Sequence, residues 1–359
     1  MGKPTEKHGK QGFKAYTLAT IVLLATILFG ADWALVWRNA SAERGTGDAH
    51  HAAQSKFLEQ GLYNITCAAR DRVFEGCSVH RGTHCARVVI DDFISEDEAA
   101  SLIRLAETAF NMISNGGAGP VSVFDTASGA TSRERGFIDV FAVAKRIRSD
   151  IEKLEAELST FPPANNPDTT AAYETKQNKL TALKSRLFRP EDVRVKLEVE
   201  ARFKSVAERI FGISSTHLTK PSFIARIKSD IPALQTNDEY WYRHVDTDQY
   251  GTFEHTAVLY LNSQEGNYKG GEFEFLDERP QEGHKGELLV VPKRGRMLLF
   301  TSGSENPHRV RKVQSISTTQ GGVRYAWVLA LTCDETSRVP QGQVQRLLDS
   351  AYPPLPHSL

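Results

Sequence analysis

The stretch from Trp241 to Asp334 constrains the fold more than any other part of the chain. Short β-prone runs follow one another there: His255 to Asn262, Glu272 to Leu276, Leu288 to Val291, Met297 to Phe300 and Val323 to Leu331. Glu272-Phe273-Glu274-Phe275-Leu276 alternates polar and apolar residues, the period of a half-buried strand. Pro292-Lys293-Arg294-Gly295-Arg296 carries the proline and glycine of a turn. On the last run Arg324, Ala326, Val328 and Ala330 share one face, and Tyr325, Trp327, Leu329 and Leu331 share the other.

Set into this framework are residues with metal-ligand chemistry. His244 and Asp246 are two positions apart, so on a strand they point to the same face and can grip one ion from one side. His308, from a distant strand, completes a set of two imidazoles and one carboxylate. Such a set leaves the opposite octahedral positions free for substrates, the pattern of non-haem Fe(II) oxygenases. Alone, His-x-Asp is a weak signal in a chain with 11 histidines. Each histidine also reads as a surface or structural residue, and Asp246 as a turn residue; the strand-rich context favours the metal site. Arg324, among small residues, suits a buried bidentate partner for a ligand carboxylate. The alternative is a strand-end arginine whose head reaches solvent.

The order His-x-Asp, Leu259-Tyr260-Leu261-Asn262, Gly270-Gly271, the Pro-Lys-Arg-Gly-Arg turn, a distal histidine and a final arginine resembles the 2-oxoglutarate/Fe(II) dioxygenases of the prolyl 4-hydroxylase type. Phe74 to Cys77, His217 to Pro221, Asp238 to Trp241 and Phe300 to Asn306 resemble a membrane-bound branch of that family. The likeness runs from about Arg72 to Asp334. It implies that His244, Asp246 and His308 bind Fe(2+), that Arg324 binds the distal carboxylate of 2-oxoglutarate, and that Tyr260 touches the same co-substrate. L-ascorbate is implied as an auxiliary reductant. Arg324 follows His308 by sixteen residues, more than is usual in the family, with Ser315 to Gln320 reading as a polar insertion. Arg309 and Arg311 therefore stay open as rival anchors.

The fold expected is an all-β core with helices (α+β): a double-stranded β-helix, or jelly roll, preceded by a single transmembrane helix. The helix is read over 15–37, apolar except for threonines and Asp32, and long enough to span. Lys3, Lys7, Lys10 and Lys14 flank it against Glu6, which makes 1–14 a cytosolic tail and the chain a single-pass type II membrane protein of the secretory pathway, with its body in the lumen. A signal peptide cleaved near Gly30-Ala31 is the alternative. Residues 38–87 read as a lumenal stem with cysteines. Asn39 and Asn64 head glycosylation sequons, Asn39 lying close to the membrane. Cys67, Cys77, Cys85 and Cys333 suit disulfides in an oxidising lumen, with the pairing open. A zinc cluster of Cys77, His80, His84 and Cys85 has irregular spacing and is the lesser reading.

Residues 88–335 form the expected oxygenase domain, with its catalytic core at 218–335. Val88-Val89-Ile90 reads as a strand, and Ser95 with Glu98 as a capping box before an amphipathic helix ending near Met112. Residues 144–190 carry apolar positions at helical spacing on both sides of a proline-rich break, a helical hairpin inserted relative to the family. Glu191 to Phe211 is a further helix stopped by Gly212, with Val195, Val199, Phe203, Val206 and Ile210 on its expected packing face. Residues 336–359 read as a loose tail. Tyr240, Trp241 and Tyr242 suit either the mouth of the site or strand packing.

Net charge is zero and there is no basic stripe, so nucleic acid is not an expected partner. The resemblance implies hydroxylation of a prolyl or lysyl side chain in a lumenal protein, with succinate and CO2 as co-products. A catalytically silent jelly-roll module, or an interaction protein acting through the hairpin, stands as the alternative. The sequence carries no signal for substrate identity or oligomeric state.

Overall fold

The computed structural model describes residues 56–68, 85–113, 119–133, 136–162, 166–214, 216–233, 238–276, 288–317 and 321–356. In chain order these form β1 (Lys56–Phe57), β2 (Gly61–Ile65), β3 (Cys85–Ile90), α1 (Glu96–Asn111), β4 (Val121–Asp125), β5 (Ala130–Ser132) and β6 (Phe137–Asp139). Next come α2 (Val140–Ser159), α3 (Pro167–Lys184), α4 (Pro190–Phe211), β7 (His217–Leu218), β8 (Phe223–Lys228) and the short α5 (Asp246–Tyr250). Strands β9 (His255–Tyr260), β10 (Phe273–Phe275), β11 (Leu288–Val290), β12 (Met297–Thr301), β13 (His308–Val310) and β14 (Val323–Thr332) follow, and α6 (Gln341–Ser350) closes the chain.

The strands make two sheets. The large one runs β2-β3-β12-β9-β14-β8-β4-β5-β6, with β7 also on β14; the small one runs β1-β11-β10-β13. All pairings are antiparallel except β1 with β11. The β14 register sets Ala326 against Tyr260 of β9 and Arg324 against Ile227 of β8. Strand β12 is buried at every residue, because both faces of the large sheet are covered.

That double cover corrects the expected all-β core. One apolar cluster lies between the large sheet and helices α1, α2, α4 and α6, and includes Leu102, Phe110, Phe203, Leu299, Trp327 and Leu329. A smaller cluster between the sheets holds Val258, Tyr260, Phe273, Phe275, Phe300 and Ala326. Helices thus build the larger half of the interior, and the fold is mixed α/β with antiparallel sheets rather than a jelly roll with accessory helices. The expected preceding membrane helix is corrected too. Among the described residues no helix is long and apolar enough to cross a membrane, and residues 15–37 lie outside them. The single-pass type II arrangement with a lumenal body is therefore carried no further.

Local chemistry explains the helices. The Ser95 hydroxyl accepts from the Glu98 N–H at 3.1 Å, and the Glu98 carboxylate accepts from the Ser95 N–H at 2.8 Å. Ala99, Leu102, Leu105, Ala106 and Ala109 then line the buried face of α1. Helix α4 ends at Gly212, whose φ of 61° is the left-handed conformation that glycine adopts without strain. Its most buried stripe is rotated from the expected one, since Val199 and Phe203 are joined by Val193, Ala207 and Phe211, with Val195, Val206 and Ile210 at the border. The rotation carries Lys196 and Glu200 inside, where they pair at 2.8 Å. Helices α2 and α3 pack together, linked by Lys184–Glu155 at 2.7 Å. The described part of the expected tail, up to residue 356, is not loose: Leu347, Leu348 and Leu355 are buried, and Arg148 donates to the Ala351 carbonyl at 2.8 Å.

Cys67 and Cys85 form a disulfide that ties the end of β2 to the start of β3. Cys333 is also disulfide-bonded. A bonded Cys85 cannot serve the zinc cluster considered above. Cys77, His80, His84 and Asn39 lie outside the described residues, whereas Asn64 is exposed on β2.

Candidate metal centre and carboxylate cradle

His244 is not in a regular strand. It forms an isolated bridge with His308, each backbone N–H donating to the other's carbonyl at 2.9 Å. Val245 is extended (φ −123°, ψ 133°), and Asp246 is the first residue of α5. The extended residue between them is what keeps His244 and Asp246 on one side, although no strand contains both. Their ligand atoms and that of His308 all lie within 4.8 Å of one another. Asp246 Oδ1 is 3.5 Å from His308 Nε2 and 3.8 Å from His244 Nε2.

The surroundings orient each ligand. His308 Nδ1 lies 2.8 Å from the Asn306 carbonyl and His244 Nδ1 3.1 Å from the Tyr242 carbonyl. The tautomer that satisfies both contacts puts the proton on Nδ1 and leaves each Nε2 lone pair for a metal. His308 stacks on Phe273 with centroids 4.6 Å apart and meets Phe300 edge-on at 5.2 Å. Asn306 is locked in turn: its side chain donates to the Thr301 carbonyl at 2.7 Å and accepts from Arg87 Nε at 2.7 Å. Burial, reinforced by the adjacent His308, lowers the His244 pKa and favours the neutral, ligating form. Burial works to raise the Asp246 pKa, but its contacts with His308 and Thr256 outweigh it and hold the carboxyl below its usual value. Asp246 Oδ2 is buried without a hydrogen-bond partner. Two imidazoles whose Nε2 atoms face one another across Asp246, one ionised carboxylate and an orphaned carboxylate oxygen fit a divalent cation of the iron type.

Beside the triad lies a second set of unsatisfied groups. Arg324 is 3% exposed; its Nε donates to the Gly271 carbonyl at 3.1 Å, and its Nη2 has no partner. The hydroxyls of Tyr260 and Tyr268 are likewise buried and unpartnered. The Arg324 guanidinium sits 5.3 Å from the Tyr260 ring centroid. Gly271, at φ 75°, brings Arg324 and Tyr268 together: a Cβ there would meet Arg324 Cδ at 3.0 Å and Tyr268 Cε2 at 3.2 Å. Burial pushes the Tyr260 hydroxyl up to about 12 and raises Tyr268 as well, so both remain protonated donors. A guanidinium with an unpartnered Nη2 and two phenols that meet no acceptor among the described residues fit the carboxylate of a bound acid.

The rival anchors are otherwise engaged. Arg309 donates to both oxygens of the fully buried Glu274, at 2.8 and 3.0 Å, and Arg311 donates to the same carboxylate at 3.0 Å. Trp241 and Tyr242 lie in a turn rather than a strand, and the Tyr240 hydroxyl accepts from the Val313 N–H at 2.7 Å. Sequence reasoning missed Tyr268, whose one signal was an aromatic residue in a polar loop just before Gly270-Gly271. It also missed Arg87, which nothing in its local pattern marks.

The sequence model of the 2OG-Fe(II) oxygenase superfamily matches residues 233–329, the segment that carries all of these groups except Arg87. The 2-oxoglutarate and iron-dependent oxygenase domain-containing protein 3 of Xenopus tropicalis is 32% identical over 288 residues, covering 79% of this chain and 74% of its own length. The chain belongs to the 2OG-Fe(II) oxygenase superfamily. The Homo sapiens protein of the same name is 30% identical over 305 residues, covering 84% of this chain and 78% of its own. Prolyl 3-hydroxylase 2 of Gallus gallus is 33% identical over 103 residues, 28% of this chain and 13% of that protein. As in its superfamily, the cofactors of this oxygenase are Fe(2+) and 2-oxoglutarate.

Proposed function

We propose that this 2OG-Fe(II) oxygenase is an active dioxygenase that hydroxylates a prolyl or lysyl side chain of a protein, releasing succinate and CO2. The observation that carries the reading is the pairing of the His244–Asp246–His308 triad with the unsatisfied Arg324–Tyr260–Tyr268 cluster. An inactive site has no use for four buried, unpartnered polar atoms, since each costs about 1–3 kcal/mol when left so. The partial likeness to prolyl 3-hydroxylase 2 supports a prolyl target.

His244, Asp246 and His308 would hold the iron from one side, with the Nδ1 contacts fixing both imidazole planes. Bound iron and 2-oxoglutarate would supply, with dioxygen as the oxidant, an oxidative decarboxylation coupled to C–H hydroxylation, one oxygen atom going to succinate and the other to the substrate. Arg324, Tyr260 and Tyr268 would receive the distal carboxylate and set the orientation of the acid. Phe273, Phe275 and Phe300 keep water from the His308 side. L-ascorbate belongs to the proposal as a reductant that keeps the iron ferrous.

The test is succinate release by the full chain with Fe(II), 2-oxoglutarate and ascorbate, alone and with proline- or lysine-containing peptides. Release that is lost in Asp246→Ala, with a hydroxylated peptide detected by mass spectrometry, is the expected result. No release, together with no 2-oxoglutarate binding, would leave a silent binding module.

A further inference from the structure

The three metal ligands lie on segments that no single strand or helix ties together. Asp246 opens α5, His244 sits just ahead of it, and His308 opens β13. A working site needs their ligand atoms held to within about 0.5 Å of one geometry. The loop between β12 and β13, residues 302–307, reaches all three. Its Asn306 carbonyl lies 2.8 Å from His308 Nδ1. Its Ser302 carbonyl accepts from the Thr247 N–H at 3.2 Å, in the first turn of α5 beside Asp246. The Ser302 hydroxyl is 2.7 Å from that of Thr256, which contacts Asp246. His244 follows through its backbone bridge to His308.

A loop can set such a geometry only if it is itself closed, and the buried side chain of Asn306 closes this one. Its amide donates back across the loop to the Thr301 carbonyl at 2.7 Å and to the Thr301 hydroxyl at 3.1 Å. Its Oδ1 accepts from Arg87 Nε at 2.7 Å. An aspartate would lack the donor and a leucine both groups; the asparagine amide supplies donor and acceptor on one plane. Pro307 follows and restricts the Asn306 backbone to extended conformations. Arg87 comes from β3, opposite Phe300 in register. It also donates to the Glu305 carbonyl at 3.4 Å, and its guanidinium lies 4.0 Å from the Phe275 ring centroid. Phe275 and Phe300 both meet His308 edge-on, so Arg87 braces the loop on one side and the aromatic wall of the histidine on the other.

We propose that Asn306, held in place by Arg87, is a positioning residue of the metal site. Its side chain closes the 301–306 loop, and that closure fixes the imidazole of His308 and the start of α5 for metal binding. Neither Asn306 nor Arg87 supplies a ligand atom. An asparagine that served the fold alone would cost only stability when removed. A positioning one also costs metal affinity in the protein that stays folded. The inference rests on the three metal ligands and not on which side chain is oxidised, so it is tested apart from the prolyl or lysyl reading.

The test is competition between the full chain and a fluorescent chelator for Co(II), used as a stand-in for iron, with the folded fraction of each sample followed by circular dichroism. Asn306→Ala should weaken Co(II) binding by roughly 10- to 100-fold, the range usual when the partner of a metal-bound histidine is lost. Leu102→Ala, in the core on the helix side of the large sheet, controls for destabilisation and should bind within about twofold of wild type. Arg87→Lys keeps the positive charge and loses the Nε donor; it should weaken binding by roughly 2- to 10-fold, and it keeps the test open should Asn306→Ala fail to fold. The double variant should bind no worse than Asn306→Ala alone, because Arg87 acts through Asn306. A second readout is NMR of the Zn(II)-loaded chain labelled with nitrogen-15 histidine. The Nδ1 proton of His308 should be protected from solvent exchange in the wild type and exchange faster in both single variants. Co(II) binding by both single variants within about twofold of wild type would overturn the proposal, as would an equal loss in Leu102→Ala. So would an unchanged Nδ1 proton in the variants. Additive losses in the double variant would overturn the part assigned to Arg87.

Discussion

Arg226 and Arg324 stand on the neighbouring strands β8 and β14, are 5% and 3% exposed, and lie one register step apart on opposite faces of the large sheet. Arg226 faces the helices. It reaches both oxygens of Glu107 at 2.9 and 3.0 Å, and its guanidinium lies over the Phe110 ring at 4.4 Å. The Tyr325 hydroxyl donates to the same carboxylate at 2.7 Å. Arg324 faces the small sheet, where among the described residues no carboxylate pairs with it: one backbone carbonyl accepts from it, and a tyrosine ring and two unpartnered phenols lie near. The difference shows how one sheet serves two purposes. On the helix side a buried arginine is neutralised from within, and the face stabilises the fold. On the other side, among the described residues, no carboxylate meets the guanidinium, which leaves it for the ligand proposed above.

The largest effect expected on the helix side belongs to Trp327, which is fully buried there. Trp327→Ala should destabilise by about 3–5 kcal/mol in denaturant unfolding. The protein that remains folded should bind metal with unchanged stoichiometry. Next is Arg226→Met, which strands the Glu107 carboxylate. The loss should be about 2–3 kcal/mol, held to that range because the Glu107 side chain stays 31% exposed. Its 2-oxoglutarate affinity should not move, and a large drop would mean the two faces are coupled.

Arg324→Met should behave in the opposite way. It loses one bond to a carbonyl, so stability should change by less than about 1 kcal/mol, while 2-oxoglutarate binding weakens by roughly 10- to 100-fold and iron affinity stays within about twofold. A comparable loss in Arg311→Met instead would return the anchor to its rival. The smallest effect is expected for Tyr268→Phe: calorimetry should show 2-oxoglutarate binding weakened roughly 2- to 10-fold. Removing an unpartnered buried hydroxyl should leave the ligand-free protein as stable or slightly more so. A clear loss of stability would show that the hydroxyl already has an internal partner.

The parts of this architecture legible in the sequence are those governed by local rules. The Ser95–Glu98 box, the Gly212 stop and the alternation on β14 depend on neighbours within a few residues, and each is found where those rules place it. The weight of the helical layer was not legible, because β12 is apolar on both faces and its sequence does not say what covers it. The hidden Lys196–Glu200 pair misled for a related reason: charge in a helix is read as a solvated face unless its partner is known to be buried with it. At the site, His244 and Asp246 stand on one side for a reason other than a shared strand, since only Val245 between them is extended. Tyr268 and Arg87 act through contacts with Gly271 and Asn306, which only the tertiary fold brings close.

The central claim is that His244, Asp246 and His308 hold a metal at the β13 edge of the small sheet, and that Arg324, on the face of the large sheet turned toward the small one, receives the metal's acid co-substrate. Anaerobic calorimetry of 2-oxoglutarate binding to the full chain, with and without Fe(II), tests it most directly. The account predicts one co-substrate site whose affinity rises sharply with iron in the wild-type chain. His308→Ala should lose the iron dependence yet keep weak binding, and Arg324→Met should keep the dependence at reduced affinity. Binding of the same strength with and without iron, or unaffected by either substitution, would contradict it.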